Sequence, residues 1–250
     1  MISEKQFASG FPCFWTERLP FLTPQVVTEM NIRRRVLKDA EGEPLEPFSR
    51  RGDNSQNDFI AEAAFELFVV AVRQNVTVLS LAKDRNLLTE VANNSIARLL
   101  GLREYWRSIG QRFPKTTSEE SVALATRIED YFAKEAGPEK IFIQPRFKGC
   151  GILDSCYGDV LVGTSLYELK IVDRSLRSTD LRQLLIYAAL NQRSQQYRIN
   201  TVVVVNPRRG TEYKFAVEPL IQRISGHTPT ELFHRITEFL IDFDAMHKAS

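Results

Sequence analysis

Residues 158 to 191 read GDVLVGTSLYELKIVDRSLRSTDLRQLLIYAALN. Two short runs of β-forming residues, GDVLVG and SLYELKIV, flank Gly163-Thr164 and spell a hairpin. Charges interrupt both. Asp159 heads the first strand, and Glu168 and Lys170, two apart, share one face of the second while Leu169 and Ile171 take the other. A carboxylate or ammonium left unpaired inside a sheet costs several kcal/mol, roughly, so such a trio persists only by mutual pairing or by holding something charged. A divalent cation answers the two acids. Magnesium keeps several waters and takes one or two protein carboxylates plus phosphate oxygens, which suits Asp159 and Glu168 with a polynucleotide as the remaining ligand; Mn2+ is the natural substitute. Lys170 then stands beside the metal, placed to orient an attacking water or to steady charge on the phosphate. Asp154, in GILD just upstream, competes with Asp159 for the first position; Asp159 has the better spacing to Glu168 and is preferred.

Working outward, TTSEESVALATRIEDYFAKEAG (residues 116–137) carries a Thr/Ser start, acids in its first turn and a Gly-Pro stop, the punctuation of a helix. IFIQPRF (141–147) reads as a strand before the hairpin. STDLRQLLIYAALNQ after it returns to helical spacing, with Leu181, Leu184, Leu185 and Ala188 on one side. TVVVVN (201–206) is the continuous apolar run of a strand covered on both faces, ended by Pro207. An alternating strand through Tyr213, Phe215 and Val217 follows, then a helix over about 229–243 capped by Thr228 or Thr230. Upstream, FIAEAAFELFVVAV (59–72) reads as a buried helix capped by Asn57 or Asp58, and a second helix over 87–100 stops at Gly101, before Pro114. The expected organisation is a mainly helical region over 1–115 and an α/β domain over 116–250, the latter ending in a strand-helix extension.

The order of helix, three-stranded meander, helix and strand, with Asp159, then Glu168-x-Lys170, resembles the PD-(D/E)XK nuclease superfamily, also called the restriction-endonuclease-like fold. The likeness spans about Thr117 to Asn206, and Gly158 stands where the family name has proline. The helix after the ExK strand matches the QxxxY pattern, Gln183 to Tyr187, of the branch that includes the exonuclease domains of bacterial recombination helicases. The resemblance implies a metal-dependent nuclease that hydrolyses DNA phosphodiester bonds, with Gln183 and Tyr187 reaching the active site or the phosphate backbone. Many members add a third acid from the helix before the first strand; Glu120, four before Leu124 on the apolar stripe, is the candidate here. Arg174, Arg177 and Arg182 lie near the same edge as phosphate contacts.

Bulk composition bounds these readings. The chain has 250 residues, 43% hydrophobic and 10% aromatic, enough for a sizeable core, and a formal charge of only +2. That charge does not by itself imply nucleic acid, although arginines cluster at 33–35, 50–51 and 208–209. Three cysteines without paired CxxC spacing are expected to be reduced thiols, and the three histidines, all beyond residue 226, have no metal-binding spacing. No run is long and apolar enough to span a bilayer, and MISEKQFASGFPCFW has no basic stretch leading into an apolar one, so the expectation is a cytoplasmic chain without membrane association. No phosphate-cradling GxxxxGK[ST] is present. By analogy with the superfamily, an ATPase or helicase partner supplies targeting in a bacterial defence, restriction or mobile-element setting, with oligomerisation open. A nuclease-fold subunit that binds or scaffolds without cleaving, and a purely structural salt-bridge cluster, are the competing readings.

Overall fold

The computed structural model describes residues 1–39, 41–48, 56–100 and 115–248; Arg50, Arg51, Gly101 and Pro114 lie outside them. In chain order the elements are α1 (Glu4–Ser9), α2 (Pro12–Arg18), α3 (Pro24–Ile32), β1 (Arg35–Val36), α4 (Asn57–Gln74), α5 (Val78–Leu81), α6 (Arg85–Leu100) and α7 (Lys115–Ala136). There follow β2 (Ile141–Ile143), β3 (Arg146–Phe147), β4 (Cys156–Tyr157), β5 (Val160–Val162), β6 (Ser165–Leu169), α8 (Ser178–Ser194), β7 (Thr201–Asn206), β8 (Thr211–Ala216), α9 (Val217–Ser225) and α10 (Pro229–Lys248). The protein is α/β, built on a six-stranded mixed sheet in the order β1-β8-β7-β6-β5-β2. Among the described strands, only β6 and β7 pair in parallel. A parallel pair needs a crossover, and α8 supplies it. No described helix is long and apolar enough to cross a membrane.

Period-two alternation sorts the strands onto two cores. Val202 and Val204 of β7 face a layer formed by α8, α9, α10 and the N-terminal helices, while Val203 and Val205 face α4 and α7. The four-valine run is thus covered on both sides, as its composition predicts. On β6, Leu166 belongs to the first layer and Tyr167 to the second, as does Ile171 just past the strand's end. In chain order α7, β2, β5, β6, α8 and β7 follow one another, with β3 and β4 between β2 and β5 and Gly163 at φ +54 in the β5–β6 hairpin turn.

Three expectations are corrected. IFIQPRF is not one strand: Gln144, at φ +53, breaks it into β2 and β3, and β3 pairs with β4 in a separate ribbon. Val217 does not extend β8 but opens α9, a strongly amphipathic helix that buries Val217, Leu220, Ile221 and Ile224. The residue preceding α4 is Gln56 rather than Asn57 or Asp58. The helices before residue 115 divide between the two cores: Phe7 and Trp15 share one with Leu184, and Ile60 and Leu67 share the other with Leu124 and Val203. At the far end, Thr228 does cap α10: its hydroxyl accepts from the Glu231 amide and its own amide donates to Glu231 Oε2.

Glu120 is also placed differently from its expected role. The stripe it belongs to, Leu124, Ile128 and Phe132, packs on the α4 side of the sheet, whereas Leu166, the residue preceding Glu168 on its own face of β6, packs on the α8 side. Glu120 is 2% exposed and ion-paired at 2.6 Å with Arg208, itself 1% exposed. Nε and Nη2 of Arg208 have no partner among the described residues. Glu120→Ala would leave that guanidinium buried without its counter-charge, and removing one member of a buried pair costs about 3–5 kcal/mol. Urea denaturation is expected to show a loss of that size with Mn2+ affinity unchanged; a variant that folds normally and binds Mn2+ less well would return Glu120 to the metal.

Candidate active site

The site forms where β5, β6 and α8 meet. Val160 pairs with Tyr167 across the β5–β6 ladder, so one step outward Asp159 comes opposite Glu168. The Leu169 amide donates to Asp159 Oδ2 at 2.6 Å, anchoring that carboxylate to the neighbouring strand. Gly158, at the position of the family's proline, donates its N–H to the Pro145 carbonyl, and an added Cβ would press on Leu166 and Phe147 at 3.1 and 3.2 Å. Proline would lose that donor. Asp154, the competing acid, is exposed in the turn before β4, its amide bonded to the Ile2 carbonyl, while Asp159 is the acid that meets Glu168.

Glu168 is 4% exposed, and one of its oxygens accepts from Lys170 Nζ at 2.8 Å. The other, Oε2, has no hydrogen-bond partner among the described residues. Such an orphaned, buried carboxylate oxygen carries the full cost of lost hydration, which a cation could offset. Lys170 Nζ also donates to Gln183 Oε1 at 2.7 Å and lies 4.0 Å from Asp180. Burial works against the ammonium, but the charges of Glu168, Asp180 and Asp159 outweigh it and raise its pKa, so Lys170 is a cation at neutral pH. Asp159 shifts the opposite way for a carboxylate: burial and the Glu168 charge push it up to about 8, against the restraint of the Leu169 amide and the Lys170 charge.

Helix α8 brings Gln183 and Tyr187 to this edge because four residues return to the same helix face. Gln183 Nε2 donates to the Tyr187 hydroxyl at 2.8 Å, completing a chain from Glu168 through Lys170 and Gln183 to Tyr187. Tyr187 is 1% exposed and stacked on Phe147, with ring centres 5.2 Å apart, and burial drives its hydroxyl pKa well above the ordinary value. It is a buttress of Gln183; the expected contact with nucleic acid is corrected, because a polynucleotide does not reach a ring so enclosed.

Two of the three arginines are likewise committed elsewhere. Arg174 forms a two-pronged pair with Asp180, at 2.6 and 2.8 Å, and Asp180 Oδ2 in turn accepts the Arg177 amide at the start of α8. Arg182 reaches back to the Ala8 carbonyl and lies over the Trp15 ring at 5.5 Å, tying α8 to the N-terminal helices. Only Arg177 of the three is exposed.

Glu4 was not legible as a site residue. It opens α1, which packs on α8, and its Oε1 accepts a long bond from Gln183 Nε2 at 3.4 Å. Its charge reaches both Tyr187 and Cys156. A local signal was present: Ser3 and Gln6 form a reciprocal capping box that starts a helix at Glu4. Nothing in the spacing says that this helix docks 179 residues along the chain, against Gln183.

Because the folded pKa of Asp159 is raised, its contribution to stability is complete below its ordinary value of about 3.9 and is lost as pH rises towards about 8. Metal-free wild type is expected to melt progressively lower than Asp159→Asn as pH rises from about 5 to about 8, with Mn2+ closing the gap most at the alkaline end. Parallel melting profiles for the two proteins in differential scanning fluorimetry would show that the carboxyl titrates normally.

No protein-family model matches this chain, and no curated protein matches it either.

Proposed function

We propose that the chain is a Mg2+-dependent nuclease that hydrolyses DNA phosphodiester bonds, with a core of restriction-endonuclease-like arrangement around β5, β6 and α8. One observation carries the reading: Glu168 Oε2 is buried without a hydrogen-bond partner among the described residues, beside the protonation-prone carboxyl of Asp159, while a charged lysine is held within hydrogen-bond reach by a glutamine. Asp159 and Glu168 would hold the metal; the remaining positions fall to water and phosphate, the usual habit of magnesium. When bound, the ion supplies a water of lowered pKa and neutralises charge on the phosphate.

The chain's own groups have distinct tasks. Lys170 carries three N–H donors, of which Glu168 and Gln183 take two, leaving one for a phosphate oxygen. Its raised pKa makes it a poor proton acceptor, so it acts by stabilising negative charge rather than as a general base. Gln183 fixes the direction of that ammonium, and Tyr187 and Glu4 fix Gln183. Asp180 contributes a further negative charge behind Lys170 while its own pKa is held below the ordinary carboxylate range, where burial is outweighed by the Arg174 bond, the Lys170 charge and the Arg177 amide. Targeting by an ATPase or helicase partner belongs to the same proposal, as does a role in bacterial defence or a mobile element; both rest on the resemblance.

The competing structural reading draws on the Lys170–Glu168 ion pair, which satisfies one oxygen of the acid without any metal. The two separate cleanly by experiment. Purified protein given plasmid, linear and single-stranded DNA with Mg2+ or Mn2+ is expected to cleave, and Lys170→Ala to lose about 100- to 1000-fold in rate, the scale of losing one preorganised charge-stabilising donor. Equal behaviour of wild type and Lys170→Ala on every substrate would overturn the nuclease. Recovery of stability by swapping Glu168 and Lys170, with no cleavage in either protein, would establish the salt-bridge reading instead.

A further inference from the structure

We infer that the substrate strand is unpaired where it meets the protein, and that Phe142 with Tyr197 forms the surface on which one of its bases stacks. The inference deepens the proposed nuclease reading and rests on it. Phe142 lies on β2, an edge strand of the sheet, and is 44% exposed despite being a large apolar side chain. Its ring centre is 5.8 Å from that of half-buried Tyr197. Tyr197 meets Phe147 at 5.6 Å, and Phe147 stacks on Tyr187, the buttress of Gln183. A row of four aromatic rings therefore runs from solvent to the glutamine that holds Lys170.

Register places this platform on the same face as the acids. Phe142 pairs with Leu161, and Leu161 with Leu166, so the three share one face of β2, β5 and β6. Glu168 is two residues beyond Leu166 on that face. Two strand spacings across and two residues along put Phe142 about 12 Å from Glu168, a span covered by a few nucleotides. A shallow groove of about 280 Å³, lined by Phe142, Tyr197, Lys140, Leu161, Gly163 and Glu139, lies beside Phe142 at the hairpin-turn end of β2 and β5, the end away from Glu168. Lys140 and Arg198 are exposed next to the two rings, and the charge of Lys5, at the other end, reaches Asp159.

An exposed aromatic flanked by cations beside a phosphate-cleaving centre matches the way single strands are held, by stacking of bases on rings and attraction of the backbone to basic side chains. Paired bases in a duplex have both faces covered by their neighbours, so a stacking platform favours the unpaired strand. The ring of Phe142 spends exposed apolar surface on an edge strand, a position where sheets otherwise invite aggregation, and base stacking is the use that its position in the row supports.

Fluorescence anisotropy in EDTA, with fluorescein-labelled dT20 and a duplex of the same length, tests this without cleavage. Wild type is expected to bind dT20 more tightly than duplex, Phe142→Ala to lose about tenfold on dT20 with little change on duplex, and Phe142→Tyr to retain wild-type affinity. Phe142 is exposed, so its substitution leaves the core intact, and matching melting curves verify that. Failure of wild type to bind dT20, a preference for duplex, or equal affinity of wild type and Phe142→Ala for dT20 each overturns the inference. Absence of cleavage in Mg2+ together with Phe142-dependent binding would instead remove the nuclease reading and leave the platform standing.

Discussion

A charged side chain placed on the inner face of a sheet dictates much of this architecture. Glu168 lies on β6 and Lys170 just past its end, in line with the face on which Leu166 is fully buried. Burying a lone charge costs several kcal/mol, roughly, so every neighbour of that pair must supply a counter-charge or a hydrogen bond. Gln183 and Asp180 on α8 do so for Lys170, and Asp159 is kept close by the Leu169 amide. Helix α8 is therefore both the crossover between parallel β6 and β7 and the wall of the site, and its position is set by the two demands together.

The N-terminal helices serve the same constraint from outside. Trp15 is fully buried with its indole N–H on the Phe7 carbonyl, and Arg182 lies across it, so α1 and α2 close over the outer face of α8. Glu4 arrives beside Gln183 as a result. On the far side of the sheet, Glu120 and Arg208 make a second buried pair that joins α7 to the turn between β7 and β8. One layer of the sheet holds the charges of the candidate site; in the other, the Glu120–Arg208 pair joins two elements. The contrast explains why an acid on a helix stripe, read without knowing which side of the sheet the helix covers, is ambiguous.

Much of the core site is legible in order. Asp159 opposite Glu168, Glu168 and Lys170 on one face, and Gln183 and Tyr187 on one helix face all follow from periods of 2 and 3.6 that operate within a few residues. Gln144 was missed as a strand breaker because a positive φ in a non-glycine residue has no strong local signature. The α9 helix was missed because Val217 continues the strand's alternation until Pro219, which suits the first turn of a helix, redirects the chain. Burial of Tyr187 and the commitment of Arg174 and Arg182 were not legible, since a residue's partners across the sheet or along the chain leave no trace in its own neighbourhood.

The sequence by itself determined the β5–β6 hairpin, the buried strand β7, the crossover helix and the face on which each charge of the hairpin lies, because backbone periodicity is a local property of bonded neighbours. Only the tertiary structure decided that Glu120 belongs to Arg208, that Glu4 reaches Gln183, and that one Glu168 oxygen has no hydrogen-bond partner among the described residues. Those outcomes depend on which layer each helix covers, and that is settled by the summed burial of side chains far apart in the chain rather than by any single stretch.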